Sequence, residues 1–280
     1  MRIAYQGEPG AYSEAAALRF DSRADVVPCS TFEAVFAAVN GGRTDCGILP
    51  IENSIGGSIH RNYDLLVEHE LSIVGEVTLL VTHQLLGMAG TTLADVRRIY
   101  SHPQALAQCE RFLRGLSGVE IVANYDTAGS AKLVRDEGAT DAAAIASMRA
   151  AEVFGLSVLA SGIQDFAENI TRFLIVSRAD EPLGTPDKTS LVFTLPNEPG
   201  GLFKALSVFA LRNIDLTKLE SRPIRGRAFE YLFYVDVAVP RQDRQCQRAL
   251  THLEEMASSV RVLGSYAAWK EPARAVSPEP

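Results

Sequence analysis

The chain has 280 residues, 47% hydrophobic and 22% charged, with a formal net charge of −7. Those values describe an ordinary globular chain of about two domains, long enough to bury its cores without staples. The acidic balance, with no basic run of five or more residues, argues against nucleic acid or an anionic membrane as partner.

The four cysteines, Cys29, Cys46, Cys109 and Cys246, form no CxxC pair and have no histidine at metal-ligand spacing. They read as free thiols in a reducing compartment. The first residues read as a strand rather than a secretory signal, and no apolar run approaches the ~20 residues that span a bilayer. The expectation is a cytoplasmic protein.

Residues 1–75 alternate short apolar runs at 3–5, 26–29 and 46–51 with helical patterns at 14–20, 32–39 and 58–67. Ser30-Thr-Phe-Glu33 has the form of a capping box. Strand–helix alternation predicts an α/β fold with a mostly parallel sheet. A β-branched run, 73–82, is long enough to cross into a second lobe. There strands are expected at 98–100, 119–122, 142–146 and 158–159, and helices at 104–113, 128–135 and 148–154. The chain returns through 169–176. The lobes are then about 1–78 with 165–178, and 79–164, hinged around a cleft. A polar linker, 179–188, leads into a βαββαβ pattern over 189–268, the ferredoxin-like order. The tail, 269–280, is expected to be disordered.

Four polar constellations sit at element ends. Thr171 and Arg172 precede the buried run 173–176; an arginine there suits a carboxylate, and a hydroxyl suits a departing oxygen. Glu52, Asn53 and Ser54, with Gly56 and Gly57 after them, follow a buried strand and open a helix, so their amides suit an anion. Ser101, Gln104 and Gln108 share a helix face, although Ser101 and Gln104 also fit a plain capping box. Thr127, Ala128, Gly129 and Ser130 form another helix start, a nest or an ordinary cap. The five histidines have no obvious mutual spacing and read as surface or structural.

These motifs stand in an order that resembles the bacterial prephenate dehydratases over residues 2–269: Gly7-Glu-Pro-Gly-Ala-Tyr-Ser-Glu14, Pro50-Ile-Glu-Asn-Ser54, Ser101-His-Pro-Gln104 and Thr171-Arg-Phe173. Residues 189–268 resemble an ACT domain. Its Glu220-Ser-Arg-Pro223 motif is intact, whereas the companion Gly-Ala-Leu-Val motif reads Gly200-Gly201-Leu202-Phe203. The resemblance implies a catalytic part like the type II periplasmic binding proteins that turns prephenate into phenylpyruvate, water and carbon dioxide. It implies Thr171 as the main catalytic residue, with Glu52, Asn53, Ser101 and Gln108 around the substrate, and no cofactor or metal.

The chemistry suits these residue types. Loss of carbon dioxide and hydroxide makes the prephenate ring aromatic, so the protein must hold a dianion and assist the departing hydroxyl. Arg172 and helix N-termini suit the carboxylates, Thr171 the leaving hydroxyl, and a desolvated Glu52 an upstream proton donor. Phe173, Ser54 and 127–130 complete the expected pocket. L-Phenylalanine is the expected effector of the ACT domain, at Asn197, Gly200, Leu202, Phe203, Glu220, Ser221 and Arg222. Sheet edges in such a domain favour pairing, so a homodimer or homotetramer is expected. Plant arogenate dehydratases also resemble the chain, leaving arogenate as an alternative substrate. A non-catalytic amino-acid sensor is the alternative of another class.

Overall fold

The computed structural model describes residues 1–224, 226–227 and 229–271. The tail expected to be disordered lies outside the described residues from 272 onward. The chain divides into one unit of Met1–Glu70 with Leu79–Arg178 and a second of Leu71–Thr78 with the residues from Ala179 on.

The first unit begins with β1 (Arg2–Gln6), α1 (Tyr12–Phe20), β2 (Asp25–Cys29), α2 (Phe32–Asn40), β3 (Cys46–Asn53), β4 (Gly57–Ser58) and α3 (His60–Glu68). β5 (Ser72–Leu80) leads out of this lobe. The second lobe holds β6 (Gln84–Gly87), β7 (Arg98–Ser101), α4 (Pro103–Gln108), α5 (Glu110–Arg114), β8 (Glu120–Ala123), α6 (Thr127–Glu137), β9 (Ala142–Ala146), α7 (Met148–Phe154) and β10 (Ser157–Ser161). β11 (Ile170–Ser177) returns to the first lobe.

The two lobes repeat one plan. In the first, β1 lies parallel between β2 and β3, and β11 joins β3 antiparallel. In the second, β7 lies parallel between β8 and β9, and β6 joins β9 antiparallel, with β10 at the edge. The central strands are buried on both faces, as near-continuous apolar runs require. β9 is built almost wholly of alanines and is fully buried; small side chains let α4 and α6 both pack against it. This is the two-lobed α/β architecture expected of the pattern.

Local differences have physical causes. The helix expected over 104–113 breaks at Cys109, whose φ of −117° leaves the helical region. The break leaves the Gln108 carbonyl to accept from the Asp165 amide at 2.7 Å. Thr31, not Ser30, caps α2, its Oγ1 accepting from the Ala34 amide. The short strand β6 was not expected from the sequence.

The lobes meet through the glycine-rich loop before α1. The Ser147 hydroxyl donates to the Gly10 carbonyl at 2.6 Å. The buried Glu14 carboxylate accepts from the Gly10 amide and pairs with Arg149 at 3.1 Å. Gly10 has φ +90°, and a Cβ there would lie 2.7 Å from the Ala150 Cα. Only glycine tolerates both demands. The two crossings also touch, the Val81 amide donating to the Asn169 carbonyl at 2.7 Å.

In the second unit, β12 (Lys188–Thr194), α8 (Gly201–Ala210), β13 (Leu216–Pro223), β14 (Tyr231–Val237), α9 (Arg244–Met256) and β15 (Ser259–Tyr266) form an antiparallel sheet of order β13-β14-β12-β15. Its core joins Leu191, Phe193 and Val235 to Val208, Phe209, Leu250 and Leu253 of the helices. Residues 71–78, expected in the first lobe, cluster here. A Cβ on Gly264 would lie 2.1 Å from the Ile73 carbonyl oxygen. Glu76, 4% exposed, pairs with Lys188 at 2.7 Å and accepts from the Trp269 amide, so its buried charge is compensated within this unit.

Gly10→Ala is expected to lose about 1–3 kcal/mol of stability, the usual cost of a strained backbone position. Denaturant unfolding checks this, and an unchanged midpoint would show that the loop can yield.

Candidate active site

A cavity of about 520 Å³ lies between the two lobes of the first unit, within the range of small-ligand sites. Of the expected residues, Asn53, Gln104, Gln108, Thr127, Thr171 and Phe173 line it. Thr171 and Phe173 alternate on β11 and so share a face. The β3–β11 register shifts between Arg172 and Phe173. That extra residue on β3 lets Pro50 and Asn53, three apart, both face the cavity.

The other expected residues lie elsewhere. Arg172 and Glu52 are register partners across β3 and β11, and neither is in the cavity lining. The alternation that turns Thr171 inward turns Arg172 away. Ser54 ties its turn to the approach of β11, donating to the Glu168 carbonyl at 2.8 Å and accepting from the Ile170 amide at 2.9 Å. Ser101 is fully buried at the end of β7 and donates to the Ile145 carbonyl at 2.7 Å. It does not cap α4; His102 does, its Nδ1 accepting from the Gln104 amide.

Both expected anion nests are filled by the chain itself. Residues 54–56 turn β3 into β4 rather than opening a helix, and Asn53 Oδ1 accepts from the Ile55 and Gly56 amides at 3.1 and 2.7 Å. At α6, the Asp126 carboxylate accepts from the Ala128 and Gly129 amides. Ser130 donates to the Asp126 carbonyl. Thr127 alone of that expected group reaches the cavity.

What the cavity holds is a chain of hydrogen bonds across its floor. Asn53 Nδ2 donates to Thr171 Oγ1 at 2.9 Å and to Asn169 Oδ1 at 2.6 Å. Asn169 Nδ2 donates to Gln108 Oε1 at 3.0 Å. His83 Nε2 lies 2.8 Å from the same oxygen, and His83 Nδ1 lies 2.8 Å from the Tyr12 hydroxyl. The polarity follows from one end. Backbone amides occupy Asn53 Oδ1, so its nitrogen must donate, and each later amide is oriented in turn. Gln108 presents only an acceptor to His83, so His83 Nε2 carries a proton. Burial holds the His83 pKa below its ordinary value, outweighing the Gln108 bond, and holds that of Tyr12 well above its own. Neutral His83 therefore accepts from Tyr12. At the other end Thr171 accepts from Asn53, leaving its own proton to point elsewhere.

Among the described residues, neither lysine nor arginine lines this cavity, whereas Glu33 and Asp126 do. Positive potential comes from helix N-termini. α1 starts at the wall behind Ala11 with no side-chain cap, which leaves the first-turn amides of Tyr12 and Ser13 for an anion. α2 and α6 begin at the same cavity with Phe32 and Thr127.

Tyr12, His83 and Asn169 are the residues that sequence reasoning missed as participants. Tyr12 sits inside a quoted motif and Asn169 inside the stretch before Thr171, so both carried a signal. His83 carried none, because an isolated histidine shows no spacing.

In the second unit, the segment Asn197–Phe203 forms the approach and first turn of α8. Gly200 is its left-handed cap at φ +79° and Phe203 is 77% exposed. Glu220, Ser221 and Arg222 lie on the edge strand β13, where Glu220 pairs with Lys218 at 3.4 Å. Among the described residues, no cluster of three metal-ligating side chains occurs, and no helix is long and apolar enough to cross a membrane.

Comparison with known proteins identifies the family of both units. The prephenate dehydratase family model matches residues 3–181 and the ACT domain model residues 189–251. The chloroplastic arogenate dehydratase/prephenate dehydratase 2 of Arabidopsis thaliana is 52% identical over 277 residues, covering 95% of this chain and 72% of that protein. The structure of prephenate dehydratase from Arthrobacter aurescens in complex with L-Phe superposes with TM-score 0.87 at 33% identity, over 95% of this chain and 90% of that one. A structure described as GqqA, a novel type of quorum quenching acylase, superposes with TM-score 0.89 at 39% identity, over 96% and 98%. The chain belongs to the prephenate dehydratase family, as a hydro-lyase with a C-terminal ACT domain.

Proposed function

We propose that the first unit converts prephenate to phenylpyruvate in the cavity between its lobes, with the Thr171 hydroxyl as donor to the departing oxygen. The observation that supports this is the Asn53–Thr171 bond, which uses the threonine as acceptor and keeps its proton for the substrate. Carbon–carbon cleavage releases carbon dioxide, its electron pair completes the aromatic ring, and the ring hydroxyl leaves with the carbon–oxygen pair. A dianion becomes a monoanion, so each turnover consumes one proton to form water. Gln108, oriented by Asn169 and His83, turns its amide nitrogen toward the substrate. The carboxylates are assigned to the open amides of α1 and to α2, rather than to Arg172.

Arogenate is a second substrate to test, since Glu33 and Asp126 on the wall suit its ammonium group and the Arabidopsis relative is named for both activities. Amide hydrolysis, suggested by the acylase likeness, is less well supported. Asn53 cannot take the proton that a nucleophilic Thr171 would have to lose. Incubating the protein with prephenate and with arogenate, and following phenylpyruvate and phenylalanine, tests the reading; turnover of neither would end it.

L-Phenylalanine is proposed as the ligand of the second unit, following the Arthrobacter aurescens complex. The exposed turn at 197–200 and the edge strand β13 support that reading and the pairing of ACT domains in a homodimer or homotetramer.

Thr171→Val is expected to lower kcat by about 10²–10³, the loss of one transition-state donor. Steady-state kinetics check it, and near-normal kcat would remove Thr171 from the mechanism. Arg172→Leu is expected to leave KM within about threefold, because the arginine is off the cavity wall; a KM rise of tenfold or more would show that it reaches a substrate carboxylate.

Calorimetry of the intact chain with L-phenylalanine is expected to show binding, with inhibition at the same concentrations. Removing the second unit is a poorer test, since residues 71–78 would lose Lys188 and Gly264. Indifference to millimolar L-phenylalanine in both measurements would end the sensor reading.

A further inference from the structure

A dianionic substrate enters a cavity whose lining, among the described residues, holds two carboxylates and neither lysine nor arginine. Helix N-termini offset part of that charge, and two histidines are the ionisable bases of the wall. His102 spends its Nδ1 on capping α4. His83 is 2% exposed and bonded on both ring nitrogens.

We infer that His83 takes up one proton as the substrate binds, and that Tyr12 and the Thr82 carbonyl are placed to receive the imidazolium. The inference rests on the reading of the cavity as a prephenate site. The geometry fits both protonation states. In the neutral state Tyr12 donates to His83 Nδ1. In the protonated state Nδ1–H donates to the Tyr12 oxygen, and the Tyr12 proton turns to the Thr82 carbonyl, 3.0 Å away. The other side is indifferent to the change, because Gln108 Oε1 accepts from Nε2–H in either state. A buried histidine with an acceptor chain waiting for its second proton is built to change charge without repacking.

The groups around it bear on the sign. Tyr12 faces it from α1 in edge-to-face contact at 5.5 Å between ring centres. The amides of Gln108, Gln164 and Asn169 are neutral. Buried Cys109 follows α4 as a thiol, its pKa pushed up to about 12 by burial. Asp165 accepts from the Arg111 amide. Glu33 and Asp126 stand on the cavity wall with His102. None of these neighbours is a fixed cation. An arriving dianion therefore raises the His83 pKa. Between the free and bound pKa values the complex holds the extra proton, so affinity falls about tenfold per pH unit as pH rises. Below the free value or above the bound one, affinity is flat. The proton gained on binding equals the one that each turnover consumes.

The test uses the slow Thr171→Val protein and prephenate itself, by calorimetry at pH 7 in two buffers of different ionisation heat, reading the fast heat of binding apart from the slow heat of residual turnover, which itself consumes a proton. About one proton taken up per site is expected, falling to nearly none when His83→Gln is added. No uptake with Thr171→Val overturns the inference, and so does undiminished uptake with His83→Gln, which would place the proton on Glu33, Asp126 or His102. If prephenate does not bind Thr171→Val at all, the substrate assignment falls first and this inference with it. Should His83→Gln fail to fold, Tyr12→Phe serves: it removes the acceptor for Nδ1–H and is expected to halve the uptake or more. Unchanged uptake in Tyr12→Phe overturns the inference equally.

Discussion

The site depends on how the Asn53 side chain is held. Its oxygen accepts from two backbone amides of the β3–β4 turn, so its nitrogen can only donate. Backbone donors cannot reverse, and each group from Asn53 to Asn169 to Gln108 to His83 is therefore ordered without a charge among them. The β3–β11 register shift matters for the same reason, since it brings Asn53 onto the face that Thr171 occupies. A turn of three residues thereby fixes which atom of a threonine on another strand is available to chemistry. Preorganised dipoles of this kind do not need to reorient as charge moves.

The absence of lysine and arginine, among the described residues, from the cavity lining makes sense beside that network. Helix N-termini supply positive potential through fixed amides and leave the floor neutral. The Gly7–Glu14 motif then acquires a structural meaning. Gly10, Glu14, Ser147 and Arg149 lock the loop before α1 against the second lobe, and that loop delivers the uncapped start of α1 to the cavity.

Much of the fold was readable because strand–helix alternation and the ferredoxin-like order are written in hydrophobic periodicity. Thr171, Asn53 and Thr127 stand out from their places at element ends, Gln104 and Gln108 from a shared helix face, and Phe173 from the family motif that the chain resembles; all six line one cavity. Arg172 and Glu52 show why adjacency misleads: on strands, neighbours in sequence face opposite ways. The nests at 54–56 and 127–130 misled because a motif does not say whether the protein fills its own amides, as Asn53 and Asp126 do. Cys109 broke a helix that periodicity runs through, because a buried residue followed its core rather than its neighbours. His83 had no local signature; its role exists only once α1, α4 and the crossing strands are assembled. Residues 71–78 read as an ordinary crossing strand, whereas the Glu76–Lys188 pair and the close approach of Ile73 to Gly264 place them with the second unit.

The central claim is that the amide donor of Asn53 reserves the Thr171 proton for the substrate. The isosteric change Asn53→Asp tests it most directly, in a double-mutant cycle with Thr171→Val. A carboxylate at that position would draw the threonine proton to itself and face the Asn169 oxygen without a donor. The account predicts that Asn53→Asp lowers kcat about as much as Thr171→Val, by about 10²–10³, and that the double variant is scarcely slower than either single one. Near-normal kcat for Asn53→Asp, or losses that simply multiply in the double variant, would contradict it.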